Sequence, residues 1–198
     1  MADDTLFSSS HAALVFAFNF SMQAYDRPML NRLAAPGSGG GNGLAGLDGA
    51  AQAGIIRHEV KAIANGKKLL EAIVVAKFAP MNIRCDCKSQ CCSGQKLNAE
   101  WANSIGYISD DVRNTALAGC SSTALLRREY VSRYFMPKHD RKSIERIAVE
   151  YDINRDTVSA HMSKVQGYLG GKRSGEKGLE AIIMEMIEDR FREMQIVA

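Results

Sequence analysis

No stretch of this chain is apolar for long enough to cross a bilayer; the longest such run, Ala12 to Phe18, falls far short. Met1-Ala2-Asp3-Asp4 is acidic where a secretory leader begins basic, so a cytoplasmic protein with reduced cysteines is expected, without membrane contact. A catalytic constellation is missing too. The four histidines, His11, His58, His139 and His161, have no carboxylate or nucleophile partner at a diagnostic spacing, so the chain does not read as an enzyme. The Gly-rich stretch 36–46 lacks both a Walker lysine and a preceding strand. It reads as a flexible loop, not a phosphate cradle.

What is present suffices for a folded core. Of 198 residues, 46% are hydrophobic and 24% charged, enough for one domain or two small ones. Net charge is +3 for the whole chain, yet positions 127 to 173 hold eleven Lys and Arg against six Asp and Glu, a local +5. Positive charge concentrated in one segment is what contacts to phosphates require.

That basic segment contains the most informative pattern, Ser143 to Leu169. Ile144, Ile147, Ala148 and Tyr151 recur at helical spacing and share one face. Asp152-Ile153-Asn154 interrupts the period, because Asp and Asn favour local side-chain hydrogen bonds over continued helix. A second helix starting at Arg155 places Val158, Met162, Val165 and Leu169 inward, with Ile153 plugging the corner and Ala148 allowing close approach. Arg155, Asp156, Thr157, Ser159, Ala160, Ser163 and Lys164 are left to face a DNA major groove. Upstream, Leu126, Tyr130, Val131 and Tyr134 line a third helix that Pro137 ends, and Arg127, Arg128, Arg141 and Lys142 are positioned to touch the DNA backbone. Thr157-Val158-Ser159-Ala160-His161-Met162 resembles the recognition helix of LuxR-type and sigma-factor region 4 domains, with Asp152 where that family usually has Gly.

Four of five cysteines fall in one short run, Cys85, Cys87, Cys91 and Cys92; the fifth is Cys120. In a reducing compartment so dense a cluster reads as a structural zinc site with four tetrahedral ligands. Because adjacent Cys91 and Cys92 point in different directions, Cys120 or His58 is an alternative fourth ligand. Free buried thiols are the competing reading.

The remaining segments read as helical scaffold. Ser8 to Phe20 forms a serine-capped helix; Asp48 caps a second that Asn65-Gly66 closes; Leu69 to Ala76 forms a third; Asn98 starts a fourth around Trp101, Ile105 and Ile108. Gly170 to Gly175 reads as a flexible hinge before an amphipathic helix bearing Leu179, Ile182, Ile183, Met186, Ile187, Phe191 and Met194, which packs on its own chain or on a second copy. The expected architecture is all-α: a scaffold over 1–80, a Cys-rich zinc knot and helix over 81–124, a helix-turn-helix over 125–171, and a terminal helix over 172–198. This layout resembles phage late-gene antitermination proteins of the Q type, although the Cys-x-Cys-x3-Cys-Cys spacing departs from their Cys-x2-Cys pairs. The resemblance implies a double-stranded DNA-binding regulator that acts with RNA polymerase or a sigma factor. A zinc-stabilised interaction adaptor and a zinc-dependent nuclease are the competing functions.

Overall fold

The computed structural model describes residues 6–20, 47–85, 87, 93–172 and 174–197. Among them the protein is mostly helical. Eight α-helices occur: α1 Ser10–Asn19, α2 Leu47–Ala64, α3 Lys68–Phe78, α4 Ala99–Asn114, α5 Ala124–Phe135, α6 Ile144–Tyr151, α7 Arg155–Gly170 and α8 Leu179–Glu193. The all-α expectation needs one correction, an antiparallel hairpin of β1 Asn82–Arg84 and β2 Gln95–Leu97, with Ile83 opposite Lys96. Its strands are three residues long and exposed, too short for an alternating pattern to register in sequence. The Gly-rich loop, Cys91 and Cys92 lie outside the described residues. No helix among the described residues is long and apolar enough to cross a membrane.

The chain divides into two compact units, residues 1–66 with 185–198, and residues 67–184. In the first, α1 starts where Ser9 Oγ accepts the N–H of Ala12 at 3.2 Å, and buries Ala13, Leu14, Ala17 and Phe18. α2 buries Ala53, Ile56 and Val60 and ends through Asn65 and Gly66, both at positive φ. Arg190 of α8 reaches Glu59 of α2 at 3.0 Å, and the two chain ends meet where Phe7 N–H donates to Ile196 O at 3.1 Å.

The second unit is built around α3. Ala72 through Ala76 are all buried, as expected of an internal helix apolar on every side. Trp101 of α4 locks against it, its indole N–H donating to Ala76 O at 3.1 Å in the interior. Asn98 caps α4 through Glu100 N–H and donates its amide to Pro80 O at 2.9 Å. This bonding ties α3 to α4 within the unit that begins at Lys67.

The expected hinge at 170–175 is instead a close-packed turn. Gly171 sits at φ 94° and bridges Lys177, and Lys172 N–H donates to Glu176 O at 3.0 Å. A Cβ on Gly178 would lie 2.3 Å from both Gly171 N and Leu169 O, so main chain meets main chain there. α8 then buries Ile183, Ile187 and Phe191, leaving Ile182 and Met186 partly exposed.

Candidate nucleic-acid interface

The corner between α6 and α7 is built by three backbone devices. Ser143 accepts Arg146 N–H at 3.1 Å and starts α6. Asp152 ends it in the left-handed region at φ 50°, ψ 52°, where Asp152 N–H donates to Val149 O and Ile153 N–H to Ala148 O at 2.9 Å. That pair of bonds is a Schellman motif, formed here without the glycine that usually supplies it. Asn154 then accepts Asp156 N–H at 2.7 Å and starts α7. The turn residues Asp152 and Asn154 thus do what their side-chain chemistry allows.

Packing fixes which face of α7 looks out. Val158, His161, Val165 and Leu169 are buried where α7 packs on α6 and α5, which bury Ile147 and Ala148, and Leu126, Tyr130 and Val131, in turn. Sequence periodicity had put Met162 in this seam; it is half-buried, and His161 takes the inner place. The His161 ring stands edge-on to Tyr130 at 5.8 Å, with Nδ1 3.4 Å from the phenol oxygen. Burial, then the charge of Lys164, hold its imidazole below the ordinary histidine range. A neutral His161 is therefore a core residue, not a phosphate contact.

The outer face carries Arg155, Asp156, Thr157, Ala160, Ser163 and Lys164, all exposed, with Ser159 half-buried at its margin. Arg155 bonds Glu145 of α6 at 2.8 Å, and this raises the guanidinium pKa and lowers that of the carboxyl. Both partners are about 60% exposed, so the pair is weak and exchanges readily for another anion. Lys164 Nζ lies 3.3 Å from Cys120 Sγ.

The four cations expected on the backbone-facing side separate. Arg128 is exposed and lies across Gly106 of α4. Arg127 is 6% exposed and donates to Ser122 O, so it ties down the loop before α5 and is withdrawn from the surface. Arg141 is half-buried and donates to the carbonyls of Met136 and Tyr134, at 2.7 and 3.1 Å, clasping the α5–α6 connection. Lys142 is held between Glu129 of α5 at 3.0 Å and Glu150 of α6 at 2.9 Å, which raises its pKa, Glu150 contributing most. With two carboxylates on one ammonium, it latches two helices and presents little free charge. Periodicity marked these residues as polar; it could not reveal that three of the four have intramolecular acceptors.

Two depressions flank α7. One follows the row Lys164-Gly167-Tyr168 and includes Lys172 and Lys177; the other follows Met162-Val165-Gln166 and includes Arg133, which sequence reasoning passed over because nothing in its spacing distinguishes it.

Of the cysteine run, Cys85 and Cys87 lie among the described residues, directly after β1. Cys85 N–H donates to Gly94 O at 2.9 Å just beyond the strands, and the Cys87 thiol is exposed. Among the described residues no three His, Cys, Asp or Glu side chains are grouped to hold a metal ion, so Cys120 does not join Cys85 and Cys87. His58 is exposed on α2 beside Glu59, 3.7 Å away.

No family model matches the chain, and no curated protein or solved structure matches it either.

Proposed function

We propose that the protein is a sequence-specific double-stranded DNA-binding regulator of transcription, with α7 as its recognition helix. One observation carries this reading: α7 is anchored through Val158, His161, Val165 and Leu169 while its polar face from Arg155 to Lys164 stays accessible. A helix held from behind, with small polar residues in front, is the shape a major groove admits. Arg155, Ser159, Ala160 and Ser163 would meet base edges, and Arg128 and Lys164 would meet phosphates. The resemblance to late-gene antiterminators adds RNA polymerase as a partner, and Val149, 83% exposed on α6, offers an apolar point for such a contact. A structural zinc on the cysteine hairpin completes the proposal, held by Cys85 and Cys87 with Cys91 and Cys92.

The test is selection of bound fragments from random duplex DNA. The wild-type protein is expected to enrich one motif, with affinity that falls as salt rises. Arg155→Ala should lose discrimination at a single base pair by about 1–3 kcal/mol while sparing the others. No enriched motif, combined with co-purification of RNA polymerase, would replace this reading with a protein-interaction adaptor.

A further inference from the structure

Along the Met162-Val165-Gln166 row of α7 lies a cavity of about 380 Å³, formed entirely within residues 67–184. Its wall bears three cationic side chains, Lys77, Arg133 and Arg141, and a single carboxylate, Glu180, a formal net of +2. Glu180 is fully engaged: one oxygen accepts Lys77 Nζ at 2.6 Å and the other accepts the Tyr134 hydroxyl at 2.7 Å. The two hydrogen bonds of Arg141 go to main-chain carbonyls, which are neutral and leave its charge uncompensated. Arg133 Nε is shut off from solvent and donates to no acceptor among the described residues. Buried donors in folded proteins nearly always have acceptors, so the bare Nε shows that no described residue fixes this guanidinium, and the part of Arg133 that lines the cavity is left to take an anion.

We propose that this cavity binds a small phosphate monoester. A phosphate dianion matches the +2 wall, and arginine's planar fork suits phosphate oxygens. Met162 and Phe135 supply apolar surface for the organic part. The cavity is of a size for a small organic molecule, which favours a free monoester over the backbone of a duplex. Because Met162, Val165 and Gln166 belong to α7, an occupant bears directly on the helix assigned to DNA. The binding itself does not depend on that assignment.

The experiment uses the full chain without DNA, titrated with inorganic phosphate and with adenosine monophosphate. Thermal melting and the methyl resonances of Met162 and Val165 are followed. The melting temperature should climb with ligand concentration as expected for binding to the native state alone, and the two methyls should shift. Arg133→Lys should weaken affinity at least tenfold, and Glu180→Gln, which removes the one negative charge, should tighten it severalfold. A response to neither compound at millimolar concentration overturns the proposal, as does a response that Arg133→Lys leaves intact. Loss of duplex DNA affinity in Arg133→Lys, without any response to the two compounds, also overturns it and assigns the arginine to DNA phosphate.

Discussion

Asp152 holds a backbone conformation that L-residues with a Cβ adopt at a cost, because the α6–α7 corner requires φ 50° to close its two terminal hydrogen bonds. Its side chain is exposed, so replacement changes conformational energy more than packing. Asp152→Gly should raise stability by up to about 1 kcal/mol, and Asp152→Val should lower it by about 1–2 kcal/mol, read from denaturant midpoints at unchanged slope. Reversal of that order would mean the corner is not left-handed in solution. His161 sets a pH dependence. Its folded pKa lies below the unfolded value of about 6.5, so the unfolded chain binds the extra proton first. The contribution of a neutral His161 is complete above that pH and is lost as pH falls through the unfolded and then the folded value. The stability difference between wild type and His161→Phe should therefore change between pH 7 and pH 5. A difference independent of pH over that interval would show that the imidazole does not titrate in the core.

At the scale of elements, the α6–α7 pair depends on what holds α7 at each end. The corner residues fix its start, and the packed turn after Gly170 fixes its exit toward α8. Gly178→Ala would push a methyl to 2.3 Å from two main-chain atoms, neither of which yields as a flexible side chain does. It should cost at least about 1–3 kcal/mol, seen as a lower melting temperature. Gly167→Ala is the control: its Cβ meets only Lys172 Cγ at 3.5 Å, an ordinary contact. In a helix interior that exchange should be neutral or stabilising by about 0.5–1 kcal/mol. Equal effects from the two would mean that the turn is not close-packed. The hinge reading rested on Gly content, and composition could not tell glycine chosen for freedom from glycine chosen so that two backbones can touch.

For the whole molecule, two compact units share one chain, and the cysteine hairpin belongs to the one that holds α6 and α7. No residue of the two strands is fully buried, Ile83 being 37% and Leu97 57% exposed, so only limited apolar burial stabilises the hairpin. A structural zinc would supply that stability, on the order of 10 kcal/mol where such ions hold a small fold together. Purified protein is expected to carry zinc, and both chelation and Cys85→Ser should lower the melting temperature and expose the hairpin amides to exchange. Metal-free protein that melts no earlier, with the hairpin equally protected, would remove zinc from the account. The basic balance of residues 127–173 also changes meaning at this scale. Part of it is spent internally, by Arg127, Arg141 and Lys142, so the surface available to a polyanion is narrower than the formal charge implies.

Local physics was legible from the sequence. Ser9, Asn98, Ser143 and Asn154 act as the caps their chemistry allows, Asn65-Gly66 and Asp152 end helices, and apolar spacing identified the buried sides of α4, α5 and α6. These are interactions among neighbours a few residues apart, which spacing encodes directly. The allocation of each charge was decided only in three dimensions. Whether an arginine faces solvent, a distant carboxylate or a loop carbonyl depends on elements tens of residues away, as Glu180 beside Lys77 and Tyr134 shows. The same holds for His161 over Met162: adjacent residues straddle the helix seam, and only the position of Tyr130 settles which one turns inward.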